Sequence, residues 1–91
     1  MKFKLGQVVA TPAALEKLQE AGQSASEFID RHVQGDWGDL TEDDRQANNE
    51  GIMKGKEDRL LSAYSLKTGV KIWIITEWDR SVTTVLLPDD Y

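Results

Sequence analysis

The chain has 91 residues, of which 40% are hydrophobic, and carries a net charge of −5; this is material for one compact domain near the small end of what folds alone. It contains no cysteine, which excludes disulfides, thiolate nucleophiles and zinc sites built on Cys. No apolar run approaches the ~20 residues that span a bilayer, and the basic start Met1-Lys2-Phe3-Lys4 is not followed by the apolar stretch of a secretory signal. The expectation is a cytoplasmic, membrane-free protein.

Gly6 to Ala10 is a short β-prone segment, expected as an edge strand. Thr11-Pro12 then opens a helix, with Thr as N-cap and Pro at the first helical position. That helix is expected to run to about Ala21, with Leu15 and Leu18 inward, and to stop at Gly22. Ser24 with Glu27 three residues on reads as a capping box. It opens a second helix over about Ala25 to Gln34, with Phe28, Ile29 and Val33 at core spacing. Gly35 ends it, and Gly35-Asp36-Trp37-Gly38-Asp39-Leu40 is a tight loop. Thr41 and the acids Glu42, Asp43 and Asp44 suit the start of a third helix. Few apolar residues follow, and Gly51 weakens it, so it is expected to be short or frayed. Lys54 to Asp58 reads as a charged linker.

The C-terminal third is β-patterned. In the strand Arg59 to Leu66, Leu60, Ser62, Tyr64 and Leu66 share one face, and Leu61, Ala63 and Ser65 the other. Lys67-Thr68-Gly69 is a hairpin turn. The next strand, Val70 to Thr76, is apolar on both faces, the mark of a central position. Glu77 to Ser81 is a second turn, and Val82 to Leu87 the last strand, closed by Pro88. The whole reads as one α+β domain over residues 1 to 91. A short N-terminal strand and two to three helices pack on one face of a three- to four-stranded antiparallel meander.

Charge is unevenly spread. Seven acids lie between Glu27 and Asp44 against Arg31 alone, whereas the stretch from Lys54 to Thr84 is slightly basic. An acidic whole disfavours non-specific nucleic-acid binding, which scales with the phosphates neutralised.

Four groups are candidates for chemistry. His32, the single histidine, is a candidate general acid or base; equally, a cation near a helix C-terminus is favourable by itself. Glu77, Asp79, Arg80, Ser81, Thr83 and Thr84 form the densest polar set beside an apolar strand, and Arg80 is a candidate anion clamp with the hydroxyls of Ser81 and Thr83 beside it. The alternative is a turn held by Asp and Ser side-chain bonds and cross-strand Thr pairs. Ser62 and Tyr64 on the neighbouring strand could face the same region. Trp37, between two carboxylates in its loop, is either part of a cation site or a plug at the edge of the core. Trp73 and Trp78 are either a base-stacking pair or packing residues. No glycine-rich phosphate loop or Cys/His metal spacing appears, so no cofactor or metal is expected.

The blocks Arg31-His32…Gly35-Asp36-Trp37-Gly38-Asp39-Leu40, Arg59 to Tyr64, and Ile72 to Glu77 with Asp79-Arg80-Ser81 and Leu86-Leu87-Pro88 together resemble a family of short, uncharacterised proteins of bacterial plasmids and prophages. Some members of that family carry the label of a type I restriction methylation subunit. This chain is too short for a doubly wound cofactor-binding domain and lacks the glycine-rich turn after a first strand. The order of elements is also similar to that of mRNA-cleaving toxins and barnase-like ribonucleases. That likeness would make His32, Glu77 and Arg80 acid/base and phosphate-stabilising groups. Three functional expectations follow. The first is a non-enzymatic interaction or accessory module, self-associating through a sheet face or edge. The second is a ribonuclease or RNA-binding domain, and the third an acidic nucleic-acid mimic.

Overall fold

A computed structural model describes residues 2–53 and 58–91. Along the chain these form β1 (Gln7–Ala10), α1 (Pro12–Ala21), α2 (Ala25–Val33), α3 (Glu42–Met53), β2 (Leu60–Ser65), β3 (Lys71–Thr76), β4 (Val82–Leu86) and a closing 3₁₀ turn, Pro88–Asp90. The predicted linker Lys54 to Asp58 falls outside the described residues except for Asp58. The fold class is α+β, as the sequence implied.

The sheet has the strand order β1-β4-β3-β2. The three C-terminal strands form the expected antiparallel meander, with Ser62 opposite Ile74 and Thr76 opposite Thr83. β1 departs from expectation because it pairs with β4 in parallel, Val8 beside Thr83 and Ala10 beside Val85. The sheet is therefore mixed. The entry path of the chain explains the sense of β1. The Lys2 N–H bonds the Val33 carbonyl at 2.9 Å, and the Gln7 N–H bonds the Ser81 carbonyl at 2.9 Å. The chain thus enters the sheet at the β3–β4 turn and runs alongside β4. A hairpin would force an antiparallel neighbour, but helices and two strands separate β1 from β4.

Helices α1 and α2 cover one sheet face. Ala14, Leu18, Phe28, Tyr64, Leu66, Ile72, Ile74 and Val85 make the core between them. The Thr11 side chain accepts from the Ala14 N–H, Pro12 occupies the first turn, and Gly22 ends α1 at φ 67°. Leu15, expected inward, is 51% exposed, while Ala14 and Leu18 are buried. The i, i+4 pair 14/18 is the one that faces the sheet, and the small Ala14 lets α1 sit close to it. The Ser24 capping box does not form. Ser24 Oγ instead lies 3.0 Å from Ser26 Oγ, and Glu27 accepts from Gln23.

α3 spans 12 residues rather than a frayed turn. Its start is capped by Thr41 Oγ1, which accepts from the Asp44 N–H at 3.2 Å. Its anchor is Asn48, whose amide donates to the Leu61 carbonyl at 2.7 Å and accepts from the Leu61 N–H at 3.2 Å. One side chain thus imitates a neighbouring strand at the β2 edge. The Trp37–Asp39 loop does the same two residues on, bonding both backbone groups of Ala63. The outer edge of β2 is covered at both positions.

Candidate functional site

The polar residues singled out in the sequence fall into two groups. The first lies inside the protein. α2 carries His32 on its inward face one turn after Phe28, and the side chain is fully buried with Ser62, Thr76 and Thr83. Ser62 Oγ lies 2.5 Å from His32 Nδ1, Thr76 Oγ1 2.9 Å from Nε2, and Thr83 Oγ1 2.7 Å from Thr76 Oγ1. Thr83 then reaches the Leu5 carbonyl at 2.7 Å.

The proton positions in this strip follow from its end. A carbonyl only accepts, so Thr83 donates to Leu5. Thr76 must then donate to Thr83, which leaves Thr76 to accept from His32 Nε2–H. Nδ1 in turn accepts from the Ser62 hydroxyl. The strip is a one-way chain that fixes a neutral imidazole as the Nε2–H tautomer. Burial holds the His32 pKa down at about 4. Phe3 stands edge-on to the imidazole at 5.1 Å, Trp37 does so at 5.6 Å, and the two aromatic rings stack on each other at 5.9 Å. Among the described residues every buried side-chain N or O has a partner. In this arrangement both imidazole nitrogens are engaged within the core, so the group ties α2 to three strands and to the N-terminal segment.

Tyr64 and Trp37 belong to the same interior. The Tyr64 hydroxyl donates to the Asp36 carbonyl at 2.5 Å, and burial pushes its pKa up to about 12. The Arg31 guanidinium lies over its ring at 4.5 Å and pairs with Asp36 at 2.7 Å. Trp37 is buried and donates its indole N–H to Asn49 at 3.0 Å. The two loop carboxylates are engaged separately, Asp36 by Arg31 and Asp39 by Ser65 and Lys71. Among the described residues no group of three or more His, Asp or Glu side chains is placed to hold a metal ion.

The second group is the β3–β4 turn. Glu77 donates its N–H to the Val82 carbonyl, and the Arg80 N–H returns to the Glu77 carbonyl. Arg80 is the one non-glycine residue with positive φ, at 59°, among those described. The β2–β3 turn places Gly69, φ 90°, at the matching position. The Arg80 guanidinium donates through Nη1 to the carbonyls of Asp58 at 2.7 Å, Glu77 at 3.1 Å and Trp78 at 3.1 Å. Ser81 is exposed; its hydroxyl, and its N–H at 3.0 Å from Asp79 Oδ1, hold the Asp79 carboxyl below its usual range. Thr83 therefore belongs with His32 rather than with Arg80. Among the described residues no hydrogen bond or ion pair joins the two groups.

The surface offers a different feature. Trp73 and Trp78 do not stack; Trp73 meets Tyr91 edge-on at 6.0 Å, and the Arg59 guanidinium lies over the Tyr91 ring and donates to its hydroxyl. At the opposite edge of the sheet stands β1. The Gln7 N–H bonds the Ser81 carbonyl just before β4 and the Thr11 N–H the Val85 carbonyl within it, and strand alternation gives Val9 the same inward role. The backbone groups of Val8 and Ala10 therefore point away from the sheet. Val8 is 44% and Val9 38% exposed, and Leu15 follows on α1. The sequence identified this edge strand and suggested self-association through a sheet face or edge, without saying which. The signal available was Gln7-Val8-Val9-Ala10, without the charge or proline that often guards an edge and blunted only by its four-residue length. Comparison with family models, curated proteins and solved structures finds no match to this chain.

Proposed function

We propose that the protein is a small interaction module that engages a protein partner by strand addition at the β1 edge. The observation that carries this reading is the contrast between the two sheet edges. The β2 edge is closed by Asn48 and the Trp37–Asp39 loop, while β1 presents the outward backbone groups of Val8 and Ala10 between two part-exposed valines. An added strand supplies main-chain hydrogen bonds for affinity, and alternate side-chain contacts supply specificity. The resemblance to short plasmid and prophage proteins fits an accessory role of this kind. The ribonuclease reading needs an imidazole and a guanidinium directed at one ligand. Here His32 is spent within the core and Arg80 on backbone carbonyls.

The test is a photo-cross-linking residue placed at exposed Gln7, compared with one at exposed Gln46 on α3. Discrete cross-links from position 7 that vanish in Val8→Pro support the reading. The Val8 N–H points outward, so proline there blocks the edge while sparing the β1–β4 ladder. Equal cross-linking from both positions, or no response to Val8→Pro, contradicts it.

A further inference from the structure

We infer that the partner strand at the β1 edge is β1 of a second copy of this chain, paired antiparallel about a two-fold axis through Val9. This rests on the edge reading above and adds to it the identity of the occupant. The first argument is register. The outward-facing residues of β1 are Val8 and Ala10. An antiparallel pairing of Val8 with Ala10 of the second copy, and the reverse, uses all four outward groups on each strand. Val9 then meets Val9 of the second copy at the axis, and Val8 meets Ala10 on the helix-bearing face. The contact is isologous, so it closes at two copies and makes one continuous sheet of eight strands.

The second argument is charge. β1 is entered from exposed Lys4, with Glu77, Asp79 and Arg80 in the turn beside it. Its other end, at Thr11, lies against the acidic C-terminal turn. Thr11 Oγ1 donates to Asp90 at 2.7 Å, exposed Asp89 is the next residue, and Arg59 is taken up with Tyr91 farther along. The strand thus has an exposed cation, Lys4, before its start and exposed acids beside its end. An antiparallel second copy brings each Lys4 toward the other's acidic end, whereas a parallel copy would set the two acidic ends side by side.

A contact built on two four-residue strands buries less area than a permanent dimer needs, so the dissociation constant is expected on the order of 10⁻⁴ M. Sedimentation equilibrium up to about 1 mM covers that range. The wild type should show a monomer–dimer equilibrium that Val8→Pro abolishes. Lys4→Glu and Asp89→Lys each place two like-charge pairs across the axis and should weaken dimerisation about tenfold. An equimolar mixture of the two variants restores opposite charges at both positions and should recover wild-type association. Lys4 and Asp89 are both exposed, so this arm does not depend on how Val8→Pro folds. A wild type that stays monomeric at the highest concentration overturns the inference. So does a dimer insensitive to both charge reversals, or a mixture that fails to recover. If cross-links from position 7 then lead to a different protein, the edge reading stands without the second copy; if they fail as well, both fall.

Discussion

A histidine enclosed by hydroxyls is a different chemical object from one at a surface. The His32 strip has a single proton order because it ends on a carbonyl, and each donor finds one acceptor. Two predictions belong to this scale. In the unfolded chain the imidazole takes up its proton near pH 6.5; in the folded protein it does so near pH 4. Acid in that window favours the unfolded chain. The stability contributed by neutral His32 is therefore complete above about pH 6.5 and is lost as pH falls to about 4, a change of about 3 kcal/mol. Urea denaturation across this range measures it, and a His32→Gln variant should show a correspondingly flatter profile. Thr76→Val is nearly isosteric but leaves the Nε2–H without an acceptor and the Thr83 oxygen without its donor. It should cost about 1–3 kcal/mol in the same measurement at pH 7. Part of this strip was legible: Phe28, Ile29 and Val33 were expected inward and His32 lies one helical turn after Phe28, although the sequence presents His32 itself as an acid/base candidate or a helix-end cation rather than a buried neutral group. The remainder was not, because Ser62 and Thr76 lie 30 and 44 positions from His32, and no local pattern encodes so distant a contact.

The two hairpin turns make a natural comparison at the level of elements. Both need one residue in the left-handed region; Gly69 supplies it without steric cost, and Arg80 adopts it with a full side chain. The guanidinium bonds to three carbonyls offset that strain. Arg80→Ala keeps the strain and loses the bonds, whereas Arg80→Gly loses both. The glycine variant should therefore be more stable than the alanine variant by about 1 kcal/mol in thermal or urea unfolding. α3 offers a second test. Asn48 holds it to Leu61 through two hydrogen bonds, so Asn48→Ala should cost about 1–3 kcal/mol and speed amide exchange at Leu61. Element positions followed from caps, glycines and periodicity, since those signals act within a few residues. The misjudged features were set by tertiary contact. Leu15 was expected inward together with Leu18, but the sheet faces the Ala14/Leu18 stripe. α3 looked too polar to persist, yet its stability comes from the β2 edge rather than from an apolar face. Arg80 gave no sequence sign that it would occupy a glycine position.

For the whole molecule, what matters is that one mixed sheet has two unlike edges. Residues of α3 and the Trp37 loop close β2, while the N-terminal segment seals His32 and then continues as β1, the open edge. The parallel sense of β1 was not legible, because strand direction follows from where the chain enters the sheet and not from the strand's own residues. The edge strand itself was legible, as was the concentration of acids before β2. In the proposed reading the polar core supplies cohesion and the open edge supplies recognition.

The most direct test is residue-resolved amide hydrogen exchange in β1, at about 20 µM and again at about 1 mM. An open edge predicts alternation at the lower concentration: Gln7, Val9 and Thr11 protected by β4, Val8 and Ala10 exchanging freely. At the higher concentration Val8 and Ala10 should gain protection while the other three change little. Val8 and Ala10 amides already protected in the dilute protein, or no alternation along the strand, would contradict the account.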